Sequence, residues 1–84
     1  MTVTLRLFAT AREAAGCTTD NFELADGARV ADLVGLACGR YGDAFAEVLA
    51  TARIWVNGDE PAGGAATMLT AGDEVAVLPP VSGG

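Results

Sequence analysis

The sequence predicts an α+β fold in which one mixed β-sheet packs against one main helix. Three observations predict it. Residues 30–41 place apolar side chains at helical spacing, short segments with strand character lie at both ends of the chain, and 84 residues allow one domain with a single modest core. One helix can cover only one face of one sheet, which is the two-layer α+β arrangement.

The first part of the chain predicts two strands joined by a short helical segment. Residues 3–8 alternate apolar and polar side chains, as a half-buried strand does. Residues 11–15 favour one helical turn, which Gly16 closes. Residues 18–24 predict the second strand, with Phe22 on the face that turns toward the core.

The main helix has the clearest pattern in the sequence. Its apolar positions follow the spacing i, i+3, i+4, i+7, i+8 and i+11, which makes one continuous stripe. They are Val30, Leu33, Val34, Ala37, Cys38 and Tyr41. Gly42 interrupts the stripe, and Asp43 is predicted to cap a second short helix that contains Phe45.

The second half predicts the remaining strands. Residues 53–56 predict a strand, and residues 57–59 (Asn-Gly-Asp) predict a tight hairpin turn. Residues 61–67 are rich in Gly and Ala, residues 68–69 predict a minor strand, and residues 74–78 predict the last strand. This order of elements fits a sheet of four to five strands in which the first and last strands lie parallel in the centre. The pattern alone leaves other topologies open.

Composition excludes several classes of function. The formal charge of −6 argues against a nucleic-acid partner, which requires a basic footprint, and favours a basic protein partner. No apolar run approaches the roughly 20 residues that span a bilayer, and no signal-peptide pattern opens the sequence. We therefore expect a cytoplasmic location and no membrane partner.

Catalytic and metal-binding patterns are also missing. The chain has no His and only two Cys, so we expect no metal site, no bound cofactor and no independent active site. Cys38 belongs to the apolar stripe and is interpreted as core packing. Cys17 has no neighbouring cation except Arg12 to activate it, so both cysteines are interpreted as unreactive reduced thiols.

The C-terminus is the remaining candidate. Residues 1–78 are predicted to form the domain, and residues 79–84 (Pro-Pro-Val-Ser-Gly-Gly) a flexible tail. The Pro-Pro pair cannot extend a strand ladder, and six extended residues reach about 20 Å. Gly83 and Gly84 carry no side chain, so the carboxylate of Gly84 can enter a narrow channel in another protein.

These residues resemble a known family. The ending over residues 72–84 resembles that of the small, MoaD-type subunit of molybdopterin synthase, within the MoaD/ThiS ubiquitin-like sulfur-carrier family. The stretches 7–9 (Leu-Phe-Ala), 11–13 (Ala-Arg-Glu) and 56–58 (Val-Asn-Gly) match as well, so the resemblance covers the whole chain. It implies a β-grasp (ubiquitin-like) fold.

The resemblance also implies a chemistry at Gly84. An ATP-dependent adenylating enzyme would activate this residue, sulfur transfer would make a thiocarboxylate, and the large subunit of molybdopterin synthase would use its sulfur to form the dithiolene of molybdopterin. Residues that would give the tail its access are Pro80, Val81, Ser82 and Gly83. The absence of lysine then has two open explanations: a GC-rich genome, or avoidance of amines that an activated terminus would acylate.

Strand alternation predicts a docking surface beside the tail. If residues 3, 5 and 7 face the core, Phe8 faces away from it, and the same alternation turns Leu78 and Trp55 outward. Large apolar side chains grouped on a solvent face indicate a binding site. The resemblance implies the same, since the family docks through apolar residues beside its tail.

Two other functions remain open at this stage. One is sulfur carriage for another pathway, such as thiamine or cysteine biosynthesis. The other is a ubiquitin-like protein modifier, in which Gly84 would end in an amide bond to a lysine of a target protein.

Overall fold

The computed structural model describes residues 1–80, and these form a four-stranded mixed sheet covered on one face by helices. The elements in chain order are β1 (Thr2–Leu7), α1 (Ala9–Ala15), β2 (Thr19–Glu23), α2 (Val30–Tyr41), α3 (Asp43–Leu49), β3 (Arg53–Val56), a 3₁₀ turn (Gly64–Ala66) and β4 (Glu74–Leu78). The strand order is β2-β1-β4-β3, with β1 parallel to β4 and both outer pairs antiparallel. The predicted α+β class and the central parallel pair are confirmed.

The core lies between the sheet and α2. The inward side chains of the two central strands are at most 2% exposed; they are Val3, Leu5, Leu7, Val75 and Val77. Leu33 of α2 and Phe45 of α3 are both fully buried against this cluster. Alternating burial along both central strands confirms the predicted inward face of the sheet and leaves the intervening side chains on the other face.

Helix α2 begins and ends where its pattern predicts, but the start of α3 differs from the prediction. Gly42, and not Asp43, is the N-cap of α3. The backbone turns sharply between the two helices, and Gly42 has a φ of 97°, a conformation that glycine adopts without steric cost. Asp43 lies instead in the first turn of α3, where its negative charge interacts favourably with the helix dipole.

The predicted minor strand at residues 68–69 is reduced to one isolated bridge, between Met68 and Arg29. Hydrogen bonds join this segment to the loop before α2, from Leu69 N–H to the Ala28 carbonyl (2.8 Å) and from Val30 N–H to the Thr67 carbonyl (3.0 Å). Leu69 is buried and anchors the segment to the core. Because its partner is a loop, pairing does not extend into a ladder.

Asn57 does more than form the predicted turn. Its φ of 52° and the φ of 86° at Gly58 are typical of a type I′ hairpin turn, which confirms the prediction. Its side chain also reaches the start of β4: Oδ1 accepts the N–H of Glu74 (2.9 Å), and Nδ2 donates to Oδ1 of Asp73 (2.9 Å). Asn57 therefore fixes the position of β3 relative to the strand that carries the tail.

Replacing Asn57 by Ala is expected to lower the free energy of unfolding by roughly 2–3 kcal/mol, because two hydrogen bonds are lost and Ala is strained at positive φ. Asp59→Ala in the same turn is the control, because no side-chain hydrogen bond involves Asp59 in residues 1–80, and its effect should stay within about 0.5 kcal/mol. Urea denaturation measures both. Equal stabilities of the two variants would contradict the role given to Asn57.

A polar cluster joins β2 to the end of α2. The Asp20 carboxylate accepts hydrogen bonds from the Tyr41 hydroxyl (2.6 Å) and from Arg40 (2.9 Å), and the Arg40 guanidinium lies 3.8 Å from the centroid of the Phe22 ring. Cys17 Sγ donates to the Tyr41 hydroxyl oxygen at 3.8 Å. Burial and the bond to Asp20 raise the pKa of Tyr41, whereas the bonds from Tyr41 and Arg40 lower the pKa of Asp20.

Because the pKa of Asp20 is lowered in the folded state, its stabilising effect should be complete above its ordinary pKa of 3.8 and disappear as the pH falls through the folded value. We expect the melting temperature to fall with pH below about 4, and Asp20→Asn to reduce this dependence. Asp73 has a lowered pKa for a similar reason, since Asn57 and Thr70 donate to it, so Asp20→Asn with Asp73→Asn should reduce the dependence further. Thermal melts across this range would contradict the assignment if all three proteins behaved alike.

Candidate functional site

The described part of the tail leaves the sheet beside Phe8. Strand β4 ends at Leu78, and Pro79 and Pro80 follow it as exposed residues. Because β1 runs parallel to β4, it ends at the same edge, and Phe8 N–H donates to the Val77 carbonyl at 3.2 Å. The remaining predicted tail residues, Val81, Ser82, Gly83 and Gly84, lie outside the described residues, so the roles given to them, and to Pro80, stay predictions.

The sheet face opposite the helices, here called the open face, carries the side chains that alternate with the core residues. Those on the three strands nearest the tail are Thr4, Arg6, Phe8, Arg53, Trp55, Glu74, Ala76 and Leu78. All of them are exposed or half-buried, whereas the core-facing positions of β1 and β4 are buried. The predicted outward direction of these side chains is confirmed.

Three apolar side chains on the open face form what we call the tail-root patch: Phe8, Leu78 and Trp55. The pairing of Leu7 with Val77 places Phe8 beside Leu78 in the next row. Trp55 pairs with Ala76, so it lies one row farther from the tail. Phe8 is 37% exposed, and the other two side chains are half-buried. The structure thus brings together the three residues predicted for docking; their docking role stays a prediction.

Trp55 is half-buried, as Leu78 is. Its indole Nε1 is buried and has no hydrogen-bond partner within the described residues. An unpaired buried donor of this kind costs about 1–3 kcal/mol, and strand alternation gives no sign of it. The polar edge of Trp55 is thus withdrawn from solvent, and Phe8 is the member of the patch that counts as exposed.

The position of Phe8 depends on its backbone neighbours. Phe8 is extended, whereas Ala9, the first residue of α1, has a φ of 50°. This conformation costs a residue other than glycine roughly 1–2 kcal/mol. It turns the chain into α1 immediately after Phe8, so the side chain stays at the end of the sheet. The sequence contains no signal for this turn, because Ala is ordinary in a helix.

Charges around the patch are balanced. Arg6 pairs with Glu74 at 3.4 Å on the open face, and its guanidinium carbon lies 5.8 Å from the centroid of the Phe8 ring. Arg53 reaches Glu60 at 4.0 Å. All four side chains are about half exposed or more, so each pair contributes less than about 1 kcal/mol. The patch is therefore an apolar surface with both signs of charge beside it, and not a concentration of the chain's negative charge.

Within residues 1–80 no three His, Cys, Asp or Glu side chains are grouped to hold a metal ion, and no helix has the length and apolarity to cross a bilayer. Cys17 and Cys38 are free thiols, both partly buried against the core. The predicted chemical group, the C-terminal carboxylate of Gly84, lies outside the described residues.

Comparison with known proteins identifies the family. The sequence profile of the ThiS family matches residues 5–84. The chain belongs to the ThiS family. A curated relative, the molybdopterin synthase sulfur carrier subunit of Chlamydomonas reinhardtii, is 36% identical over 84 residues, and the match covers both chains completely.

Two solved structures support the fold. A putative molybdopterin converting factor, subunit 1, from Pyrococcus furiosus has a TM-score of 0.86 and 34% identity, over 96% of this chain and 99% of its own. SAMP1, a small archaeal modifier protein of Haloferax volcanii, has a TM-score of 0.84 and 29% identity over the full length of both chains. The β-grasp fold and the resemblance to MoaD/ThiS sulfur carriers are confirmed.

Proposed function

We propose that this ThiS-family chain is the sulfur-donating subunit of a molybdopterin synthase, and that Gly84 carries the sulfur as a thiocarboxylate. The observation that carries the proposal is the full-length match to a curated sulfur carrier subunit of that enzyme; the family match over residues 5–84 includes Gly83-Gly84. The exposed Pro79-Pro80 exit beside the tail-root patch supports it, because the tail and a docking surface then lie at the same edge of the fold.

The chemistry requires activation, because a carboxylate is a poor electrophile. In the first step a Gly84 oxygen attacks the α-phosphorus of ATP on an adenylating enzyme, which gives an acyl adenylate and releases pyrophosphate. In the second step a donor at the oxidation level of hydrosulfide attacks the acyl carbon; AMP leaves and a thiocarboxylate remains. Neither step uses a side chain of this chain, and ATP is bound by the partner enzyme. We propose no cofactor on the domain itself.

Sulfur donation would take place on the large subunit of the synthase. The tail of about 20 Å would enter that subunit, while Phe8 and Leu78 dock beside the channel. The thiocarboxylate sulfur would attack an electrophilic carbon of a pterin precursor and expel an oxygen leaving group from it, which gives a thioester between Gly84 and the pterin. Water would then cleave the acyl–sulfur bond, which leaves the sulfur on the pterin and regenerates the Gly84 carboxylate. Two such donations supply the two sulfurs of a dithiolene. The domain would act as a rigid support for a reactive terminus.

Mass spectrometry of the C-terminal peptide tests the proposal directly. The chain is incubated with its adenylating enzyme, ATP and sulfide, and the expected product has one oxygen of Gly84 replaced by sulfur. Omission of ATP is the control, because no acyl adenylate then forms. A C-terminal peptide of unchanged mass in the complete reaction would contradict sulfur carriage.

A second function, protein modification, is favoured by the full-length structural likeness to SAMP1. The same activated Gly84 would then form an amide with a lysine of a target protein. The two functions leave different products in cells: a free thiocarboxylate terminus, or an amide bond between Gly84 and a target lysine, which proteolysis releases as a branched peptide. Sulfur carriage for thiamine or cysteine biosynthesis would instead be recognised by co-purification with a thiazole or cysteine synthase in place of a molybdopterin synthase large subunit.

A further inference from the structure

Helix α2 has an outer surface with two glycines that nothing in the described fold explains. Gly35 and Gly39 lie one turn apart and are exposed, and a Cβ at either position would meet no atom within 4 Å. Glycine inside a helix costs about 1 kcal/mol relative to alanine. Neither residue has the positive φ that would require glycine. Packing within the described fold therefore does not require glycine at either position, although each glycine destabilises the helix.

Beside Gly35 lies an open groove of about 670 Å³, which we call the outer groove. Its apolar lining includes Leu24, Ala28, Ala31 and Leu36. Leu36 is 50% exposed, and Met68 at the edge of this surface, near Gly27, is 59% exposed; both exceed the 37% of Phe8. The most exposed large apolar side chains of residues 1–80 therefore lie here, on the helical layer, and not on the open face.

The charge of the outer groove is negative. Asp26 and Asp32 line it, together with Glu23, and no Arg or Lys is among its lining residues. Asp32 accepts a hydrogen bond from the Arg29 N–H at 2.8 Å, which fixes its carboxylate at the start of α2 without neutralising it. A ligand that covers the groove must therefore offer apolar side chains flanked by positive charge.

We propose that the outer groove docks a basic amphipathic helix of a partner protein. Two observations select this occupant. A second copy of a chain with charge −6 would bring like charges together, and an anionic lipid surface would be repelled in the same way. The missing side chain at Gly35 lets another helix approach closely, and apolar anchors at i, i+3, i+4 and i+7 match a groove of this kind. The outer groove lies on the opposite layer from the tail-root patch, so both surfaces can be occupied together.

The test uses the full ¹⁵N-labelled chain and a designed helical peptide of about 18 residues. Leucines at positions i, i+3, i+4 and i+7 form one face of the peptide, and lysines flank them. We expect the peptide to shift the amide signals of residues 24–36 and not those of the open face. Raising the NaCl concentration from about 50 to about 300 mM should weaken binding several-fold. The matched peptide with glutamate in place of lysine should bind at least about ten-fold more weakly.

Two variants of α2 provide the matched control. Gly35→Gln and Gly39→Gln should both raise the melting temperature, because Gln is the better helix former. Only Gly35→Gln fills the groove, so it should weaken peptide binding at least about ten-fold, while Gly39→Gln leaves it unchanged. Equal binding by the two variants, equal binding of both peptides, or signal shifts confined to the open face would overturn the proposal. Concentration-dependent dimerisation that Gly35→Gln abolishes would also overturn it, since the occupant would then be a second copy.

Discussion

A chain extended by one residue after Gly84 is expected to lose sulfur transfer entirely, with no change in melting temperature. The extension moves the reactive carboxylate to another residue and adds a side chain to the slim end of the tail. The domain should not respond, because the buried core residues and the four strands of the described fold all precede Pro79. Deletion of Gly84 should have the same effect. Thiocarboxylate formation and product formation with the large subunit measure the loss, and calorimetry measures the stability.

A cleavable C-terminal tag gives the matched control for this experiment. Before cleavage the protein should be inactive, and after cleavage to a free Gly84 carboxylate its activity should return in full. An uncleaved protein with full activity would remove Gly84 from the mechanism, and with it the proposed function.

The second large effect is expected at the tail-root patch. Phe8→Ala combined with Leu78→Ala should raise the dissociation constant for the large subunit about 10- to 100-fold, since apolar anchors carry much of the energy of an interface. Both side chains are partly exposed in the free chain, so the loss of stability should be small compared with a core substitution. Isothermal titration of the large subunit with each protein measures the change.

Leu36→Ala combined with Met68→Ala is the control for the patch variant. This pair removes similar apolar surface from the opposite layer, where both side chains are more exposed than Phe8. Binding of the large subunit should be unchanged. If both double variants bound as tightly as the original protein, neither surface would contribute to this interface; if only the control pair weakened binding, the large subunit would dock on the helical layer.

Patterns within single elements predicted most of the fold. The apolar stripe of residues 30–41 matches α2 residue for residue, and the Asn57-Gly58 turn has the predicted geometry. Errors arose where backbone geometry between elements decides the outcome. Gly42 turns the chain from α2 into α3, which displaces Asp43 from the cap, and residues 68–69 meet a loop instead of a strand edge. No spacing rule within one segment contains that information.

The candidate site was also predictable only in part. Alternation placed Phe8, Leu78 and Trp55 on one face, since it depends only on position along each strand. It could not predict that the polar edge of Trp55 is buried, because that depends on how side chains pack across strands. The outer groove was missed as well: the signals for it were Gly35 inside a helix and Leu36 outside the apolar stripe, and most of the rest of its lining comes from the loop before α2.

The strand that leads into the tail is an inner one, hydrogen-bonded to β1 on one side and to β3 on the other. A pull on the C-terminus acts along β4 and so loads both ladders lengthwise, in shear, whereas a pull on an edge strand can peel one ladder open bond by bond. If the proposed function holds, an enzyme that draws the terminus into its channel pulls along the mechanically resistant direction of the sheet. Repeated insertion and withdrawal of the terminus would then leave the rest of the molecule folded.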